Sequence, residues 1–171
     1  MKQDEEETVM WQGRFITAKT RGKWEYVSRA RGIKAAVILA MEGDHVLLVE
    51  QYRVPLGARC IELPAGLIGD HDEGEDTLVS AARELEEETG YRADHLEIVG
   101  EYFSSPGMVS ESFSLVRAHG LTKISEGGGV DGENIIVHRV ALADVPHFVQ
   151  EKRAEGCVMD VKLLMLPGMI A

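Results

Sequence analysis

The sequence has few cysteines, no long apolar run and no surplus of positive charge. Its 171 residues include two cysteines, Cys60 and Cys157, which belong to no CxxC or Cys/His pair. This argues against a zinc module and against a secreted disulfide scaffold. The longest apolar stretches, residues 35–41 and 161–166, are far shorter than the ~18 residues of a transmembrane helix. We therefore expect a cytoplasmic protein without a membrane anchor.

Positive charge is scarce: 18 Lys and Arg residues stand against 29 Asp and Glu residues, a formal net charge of -11. Such a surface repels polyanions, so we expect neither a nucleic-acid partner nor binding to anionic membranes. The N-terminus is acidic, whereas a secretory signal is basic. The 44% hydrophobic content is that of an ordinary globular domain, and the length is typical of a single one.

We predict one mixed α/β domain over residues 33–171, preceded by two short segments. Residues 1–8 carry an acidic run without an apolar face, which is typical of a solvated tail. Residues 9–32 contain two β-favouring runs, 15–18 and 24–27, on either side of a glycine turn, which predicts an antiparallel hairpin.

Periodicity predicts the remaining elements. The helix over 75–88 is the best defined, because Leu78, Ala81 and Leu85 form an apolar stripe, Asp76 suits the N-cap and Gly90 suits the end. Further strands are predicted at 35–40, 46–49, 60–63, 96–102, 112–118 and 135–140, and further helices at 143–154 and 159–165.

Three carboxylates of this helix, Glu84, Glu87 and Glu88, lie at i, i+3 and i+4 and therefore share one face. Like charges at this spacing destabilise a helix by about 0.2–0.5 kcal/mol per pair. A hard divalent cation would offset that cost, and oxygen ligands without Cys or His suit Mg²⁺ or Mn²⁺. The alternative is a solvated acidic face, which is common on helices.

The helix lies within a longer pattern, G-x5-E-x7-R-E-U-x-E-E-x-G-U, where U is bulky and apolar or aromatic. The matching residues are Gly69, Glu75, Arg83, Glu84, Leu85, Glu87, Glu88, Gly90 and Tyr91. This is the Nudix box, and the chain resembles a Nudix hydrolase. The resemblance implies an α/β/α sandwich with a mixed sheet, to which the N-terminal hairpin is a short antiparallel extension. It also implies a metal-dependent attack of water on a nucleoside diphosphate linked to another group.

The resemblance assigns roles to four residues of the box. Glu84 and Glu88 would be the main metal ligands, and Glu87 a third or water-mediated ligand. Arg83 would orient these carboxylates rather than touch the substrate.

The flanking residues narrow the resemblance to the ADP-ribose pyrophosphatase branch. Upstream are Glu50-Gln51-Tyr52-Arg53-Val54-Pro55 and Ile61-Glu62-Leu63-Pro64-Ala65-Gly66-Leu67, and downstream Pro106 lies sixteen residues after Gly90.

By position in this branch, Arg53 would contact the diphosphate or the terminal ribose, and Glu62 would order the metal site. The Ala65 carbonyl would be a metal ligand, and Leu67 would line the pocket. The alternative for Arg53 is a surface ion pair with Glu50 or Glu62, which would contribute little.

The segment Trp24-Glu25-Tyr26-Val27-Ser28-Arg29 resembles the adenine-binding strand of the same branch. Trp24 would stack on the base, Glu25 would accept from its amino group, and Arg29 would approach the phosphates. This strand often comes from the partner subunit of a swapped dimer, so the resemblance implies a homodimer. The alternative is that Trp24 covers the apolar face of the hairpin.

In this branch the base that activates the water usually lies on a mobile loop. The Gly-rich stretch 128–135 offers Glu133, which we choose. Asp131, Glu126 and Glu111 are the competing carboxylates, and a plain surface turn is the alternative interpretation.

One spacing departs from the branch, in which the glycine of the Pro-Ala-Gly motif is also the first glycine of the box. Here Gly69 meets the box spacing and Gly66 does not, so the loop after Gly66 is expanded by three residues. His71 and Asp72 in this loop are further candidate ligands, although an exposed loop histidine usually has no such role.

Together these features predict Mg²⁺-dependent hydrolysis of ADP-ribose, or of a similar nucleoside diphosphate sugar, to AMP and a sugar phosphate. One alternative is another nucleoside diphosphate sugar such as GDP-mannose. A second is a Nudix-fold sensor that binds ADP-ribose without cleaving it, although the intact acidic cluster favours an enzyme.

Overall fold

The computed structural model describes residues 5–30, 33–69, 75–130 and 132–166. An antiparallel sheet of three strands forms the N-terminal part, and its strands are β1 (Glu7–Gln12), β2 (Ile16–Arg21) and β3 (Trp24–Arg29). A tight turn joins β2 to β3. Gly22 in this turn adopts the left-handed backbone conformation, with a φ of 58°, which glycine does at no steric cost.

A mixed sheet of eight strands forms the main body. Its strands are β4 (Lys34–Glu42), β5 (His45–Arg53), β6 (Ala58–Glu62), β7 (Ala65–Ile68), β8 (Tyr91–Phe103), β9 (Ser112–Lys123), β10 (Ile136–Ala141) and β11 (Val158–Met159). The strand order is β11-β6-β5-β4-β9-β8, with β7 paired to β4 and β10 paired to β5. The pairs β4–β9 and β11–β6 are parallel and the others are antiparallel. The predicted mixed sheet is therefore confirmed.

Two α-helices, α1 (Thr77–Thr89) and α2 (Val145–Ala154), cover opposite faces of this body, with 3-10 helices at Val54–Leu56, Leu142–Asp144 and Val161–Met165. The alternation of side chains along β4 separates the two cores. Val37 and Leu39 lie in the core that α2 covers, whereas Ala36, Ile38 and Ala40 lie in the core that α1 covers. The predicted α/β/α sandwich is confirmed by this arrangement.

Helix α1 follows from local signals. The Asp76 side chain caps it by accepting from the backbone N–H groups of Leu78 and Val79, an interaction that contributes about 1 kcal/mol. Leu85 is fully buried against the sheet, and Gly90 ends the helix in the left-handed conformation with a φ of 75°. The helix begins at Thr77, slightly later than predicted.

The N-terminal sheet has one strand more than the predicted hairpin. Glu7 and Thr8, which the sequence assigns to the acidic tail, begin β1. The Glu7 carboxylate accepts hydrogen bonds from Lys19, Arg21 and Tyr26 of the neighbouring strands. These partners are remote in sequence, so the local charge pattern alone indicates a tail.

The segment 159–165 is not the continuous helix that the sequence predicts. Met159 instead pairs with Ile61 in the parallel β11–β6 ladder, and a 3-10 helix follows, where Asp160 accepts from the N–H of Lys162. No helix among the described residues is long and apolar enough to cross a membrane.

Candidate active site

Helix α1 presses two of its carboxylates against strand β7. Glu88 is only 5% exposed, and its Oε2 atom accepts a hydrogen bond from the backbone N–H of Ala65 at 3.0 Å. Glu84 lies against Gly66, where a Cβ atom would be 2.0 Å from the carboxyl carbon. A glycine at position 66 therefore gives Glu84 its place beside the strand.

Burial raises the pKa of both carboxyl groups. The pKa of Glu88 rises to about 8, because burial outweighs the Ala65 N–H and because Glu84 and Glu133 are negative neighbours. Burial also raises the pKa of Glu84, against the opposing effect of Arg83. The pair thus lies where negative charge is unfavourable and a cation would be favoured.

Arg83 lies along the outer side of this cluster. Its Nη1 atom is 3.0 Å from Glu84 and 3.2 Å from Glu87, and its Nε atom is 3.8 Å from Glu75. Glu87 is less buried than the other two box carboxylates, with 34% of its side chain exposed. Arg83 therefore restrains Glu84 and Glu87 together, at the rim of the cluster.

Arg53 and Glu62 form a bidentate ion pair next to the cluster. Nε and Nη2 of Arg53 donate to the two carboxylate oxygens of Glu62 at 2.6 and 2.7 Å. The Glu62 side chain is 6% exposed and that of Arg53 is 40% exposed, so this is not the surface pair considered above. The hydrogen bond to Glu62 and the charge of Glu88 raise the pKa of Arg53. Leu67 is half-buried on β7.

The loop between β9 and β10 is attached to the C-terminal end of α1. The N–H groups of Gly128 and Gly129 donate to the carbonyls of Glu88 and Glu87, each at 2.9 Å. Gly127 has a φ of 65°, and a Cβ atom there would lie 2.4 Å from the backbone of Thr89. The glycines therefore allow two backbones to meet at the last turn of the helix.

Glu133 lies in this loop, close enough to the box for its charge to act on Glu84 and Glu88. Its negative charge contributes to the raised pKa of both Glu84 and Glu88. Its Oε2 atom accepts from the N–H of Val130 at 3.0 Å.

The competing carboxylates have other surroundings. Glu126 pairs with Lys123 and has 91% of its side chain exposed. Glu111 pairs with Arg29, at 2.5 Å between Oε1 and Nε. Asp131 lies outside the described residues, as do His71 and Asp72 of the expanded loop.

Strand β3 contacts the main body in its second half rather than at its start. The Val27 N–H donates to Met108 and the Val27 carbonyl accepts from Ser110, at 3.0 and 2.9 Å. Trp24 starts the strand, 51% exposed, about 17 Å of extended chain before Arg29. Within the described part of the chain, neither Trp24 nor its neighbour Glu25 forms a hydrogen bond or ion pair with α1.

The sequence of residues 30–155 matches the NUDIX domain family, and the acidic cluster lies in the middle of that segment. The chain belongs to the Nudix family.

Three curated relatives illustrate the family. The methanol dehydrogenase activator of Bacillus methanolicus is 37% identical over 119 residues, 69% of this chain and 63% of its own. The ADP-ribose pyrophosphatase of Bacillus subtilis is 32% identical over 118 residues, 68% of this chain and 62% of its own. The GDP-mannose pyrophosphatase of Cronobacter sakazakii is 36% identical over 155 residues, 85% of this chain and 76% of its own. The first two matches thus span less than two thirds of those relatives.

The fold agrees with that of a solved structure. The crystal structure of an ADP compounds hydrolase superposes with a TM-score of 0.67 over 85% of this chain and 80% of that chain, at 24% identity. The Nudix fold predicted from the sequence is therefore confirmed.

Nudix hydrolases generally use divalent cations, and the donor chemistry here suits one. Glu84 and Glu88 offer oxygen ligands only, which hard cations prefer. Burial beside other acidic groups disfavours their negative charge, and a bound cation would stabilise it. In the described residues no three His, Cys, Asp or Glu side chains already converge on a metal position. Glu88 accepts from the Ala65 N–H through Oε2 and Glu84 pairs with Arg83 through Oε1, so these contacts use one oxygen of each carboxylate.

The sequence did not predict the buried ion pair between Glu50 and Arg59. Glu50 is 4% exposed on β5, and Arg59 on β6 contacts it. A charged residue directly beside each of two apolar strand runs, Glu50 after 46–49 and Arg59 before 60–63, was the available signal, because a buried charge requires a partner. The partner itself could not be identified from the sequence.

Proposed function

We propose that this Nudix protein hydrolyses the diphosphate bond of ADP-ribose, or of a similar nucleoside diphosphate sugar, to AMP and a sugar phosphate. Mg²⁺ is the proposed cofactor and Mn²⁺ the alternative. The observation that carries the proposal is a pair of carboxylates in the Nudix box: Glu88, which is buried, and Glu84, whose side chain is only 16% exposed. Burial and mutual repulsion make the negative charge of these two carboxylates unfavourable. A bound cation, which would also bind the diphosphate, would offset that cost.

Each neighbouring residue has a role in this proposal. Glu84 and Glu88 would hold the cation, which would supply charge neutralisation for the diphosphate and a lower pKa for the attacking water. Glu133 accepts the proton of the attacking water, since its charge is close enough to act on Glu84 and Glu88. Arg83 restrains the carboxylates.

Arg53 binds the diphosphate in this proposal. A guanidinium has five N–H donors, and those of Nη1 are not used in the bidentate pair with Glu62. The exposed part of Arg53 can therefore bind a phosphate oxygen while Glu62 keeps its plane fixed.

Strand β3 recognises the base in this proposal. Trp24 stacks on the adenine, Glu25 accepts from its amino group and Arg29 approaches the phosphates. Trp24 and Glu25 are exposed at the start of the strand, a position from which they can reach the site of a second subunit. The proposed assembly is therefore a homodimer.

Two alternatives have specific support. The Cronobacter relative, named for GDP-mannose, aligns with 85% of this chain, which favours a different base and sugar. The Bacillus methanolicus relative is named as an activator of another enzyme, which favours binding and regulation as a second role.

The deciding experiment measures phosphate release from ADP-ribose, GDP-mannose, UDP-glucose, NADH and dinucleoside polyphosphates. A phosphatase is coupled to the reaction, and Mg²⁺ is compared with excess EDTA. We expect preferential cleavage of ADP-ribose that EDTA abolishes. Preference for a substrate without adenine would retain the box assignment and refute the roles of Trp24 and Glu25. Tight ADP-ribose binding without cleavage of any substrate would favour the sensor.

A further inference from the structure

A buried ion cluster lies on the side of the sheet that α2 covers. At its centre is Glu50, whose carboxylate is 2.5 Å from Arg59 Nε, 2.9 Å from His138 Nε2 and 3.2 Å from Lys152 Nζ. These partners come from β6, β10 and α2, and the Glu155 carboxylate also lies 2.7 Å from Lys152. Burial alone would raise the pKa of Glu50, but the hydrogen bonds from its three partners lower it.

Arg59 extends this cluster to the loop that carries Glu133. Its Nη2 atom donates to the Glu50 carbonyl at 2.8 Å and to the Asn134 carbonyl at 3.1 Å. The guanidinium plane is thus fixed by Glu50 at two atoms while the same nitrogen holds Asn134. A planar fork can make these contacts together.

Asn134 is a backbone position that needs restraint. Its φ of 49° makes it the one non-glycine residue of the described chain in the left-handed region, a conformation that costs most residues about 1–2 kcal/mol and that Asn adopts with the help of local side-chain hydrogen bonds. Its side chain donates to the Gly132 carbonyl at 3.0 Å. The next residue, Ile135, is buried and donates to the Gly128 carbonyl at 3.1 Å.

The loop is therefore held on both sides of Glu133. On one side, Gly128 and Gly129 are bonded to the end of α1. On the other side, Arg59 holds the residue that directly follows Glu133. A shift of Asn134 would move the Glu133 backbone with it.

We propose that Arg59 is a positioning residue that holds Asn134 and thereby aims the Glu133 carboxylate at the Nudix box. This inference rests on the proposed role of Glu133 as the base. Arg59 touches neither substrate nor reacting atoms in this assignment. It acts through one backbone carbonyl.

The test compares Arg59→Lys with Arg92→Lys. Lysine keeps a positive charge beside Glu50 but cannot reproduce the fork that reaches two carbonyls. Arg92 forms a similar two-point pair with Glu86, at 2.7 and 3.2 Å, on the exposed side of α1. It is the matched control because it does not contact the loop.

Two readouts are expected to change in Arg59→Lys only. Amide exchange in residues 128–135 should become about fivefold faster, the effect of losing one hydrogen bond. The kcat for the preferred substrate should fall up to about tenfold, part of what a positioned base contributes, with KM changed less than about twofold. The melting temperature should stay close to that of Arg92→Lys.

A double-mutant cycle with Glu133→Gln separates this inference from the proposed function. If Arg59 acts through Glu133, Arg59→Lys lowers kcat in the wild-type background and has no further effect in Glu133→Gln. Multiplying effects would overturn the inference while leaving Glu133 as the base. Unchanged loop exchange in Arg59→Lys would also overturn it, even if no substrate is turned over. An unchanged kcat in Glu133→Gln alone would refute the base assignment, and the inference with it.

Discussion

Glu88 is both the most buried carboxylate of the box and the one with the largest pKa rise. Its pKa of about 8 in the folded protein compares with 4.5 in an unperturbed chain. The folded state therefore binds this proton more tightly than the unfolded state does. The resulting stability is fully present below about pH 4.5 and is lost as pH rises toward about 8.

We expect Glu88→Gln to make the metal-free protein more stable at alkaline pH. Glutamine carries no charge to bury and can still accept from the Ala65 N–H. In EDTA the variant should exceed wild type by about 1–3 kcal/mol of unfolding free energy at pH 8.5, with a much smaller difference at pH 5. Denaturant unfolding at both values measures this, and the same variant should lose most turnover.

Glu86→Gln is the control on the same helix. Glu86 faces outward, and its hydrogen bond with Arg92 lowers its pKa. Its replacement should change stability by less than about 1 kcal/mol and leave turnover intact. Equal pH profiles for wild type and Glu88→Gln would show that burial of Glu88 does not destabilise the protein.

A second residue prediction concerns Trp24. Stacking of a base on an aromatic ring contributes about 1–3 kcal/mol, so Trp24→Ala should raise KM for ADP-ribose at least fivefold with little change in kcat. Trp24→Phe keeps a stacking surface and should retain most of the affinity. Steady-state kinetics with both variants tests this. If both variants instead lose thermal stability and substrate affinity alike, Trp24 has a structural role.

At the scale of elements, the contact between the end of α1 and the β9–β10 loop is made backbone to backbone. Gly127 and Gly43 have nearly the same φ, 65° and 62°, but a Cβ atom has no neighbour within 4 Å at Gly43. Substitution by alanine therefore carries the same conformational cost at both sites and a steric cost at Gly127 alone.

We expect Gly127→Ala to be the more harmful change. Gly43→Ala should cost about 1 kcal/mol for left-handed backbone, whereas Gly127→Ala should cost more and lower kcat by displacing the loop. Chemical denaturation and kinetics of the two variants measure the difference. Equal losses in both variants would mean that the loop adapts to a methyl group.

Helix α1 and the central strands could be predicted because their signals are local. Asp76, Gly90 and the apolar stripe define the helix. The continuous apolar run of β4 is typical of a strand that is buried on both faces. Strand β1 could not be predicted, because the partners of Glu7 lie on two other strands. The position of Arg59 beside Asn134, 75 residues away in the chain, is likewise a product of the fold and not of any local pattern.

The candidate site also has a part that local sequence signals predict and a part that depends on the fold. The box residues share one helix, so their spacing alone places them together. Glu133 was chosen from a Gly-rich loop, and the bond from Gly128 to the α1 carbonyl of Glu88 explains how that loop comes near. The buried surroundings that raise the pKa of Glu88 arise only when β7 packs on the helix.

At the scale of the whole molecule, the N-terminal sheet exposes a set of large apolar side chains. They are Val9, Met10, Trp11 and Trp24, each more than half exposed. An apolar surface of this kind marks an interface more often than free surface. It supports the proposed homodimer.

We expect light scattering to give twice the chain mass of 18.8 kDa. Met10→Asp should shift the protein toward the monomer, because it places a charge in the proposed interface. Leu164→Asp alters a side chain that is 79% exposed elsewhere and should leave the mass unchanged. A monomeric wild type at micromolar concentration would refute the dimer.

Mixing subunits of two variants tests whether Trp24 contributes to the site of its own chain or to that of the partner subunit. A dimer of one Trp24→Ala chain and one Glu88→Gln chain has an intact box in the first and an intact Trp24 in the second. If Trp24 reaches the partner's site, mixing the high-KM Trp24→Ala variant with the nearly inactive Glu88→Gln variant should produce low-KM activity. No gain on mixing would place Trp24 in the site of its own chain.

The bonds between Val27 and the 108–110 loop have a consequence for building chimeras from related proteins. Exchanging residues 5–29 alone would join a foreign strand to a native loop, whereas the two backbone bonds of Val27 require the backbones of strand and loop to match in shape. Exchanging residues 105–111 together with that segment would keep the backbone bonds between strand and loop. Base preference should then be transferable as a cassette of two segments that are distant in the gene and adjacent in the fold.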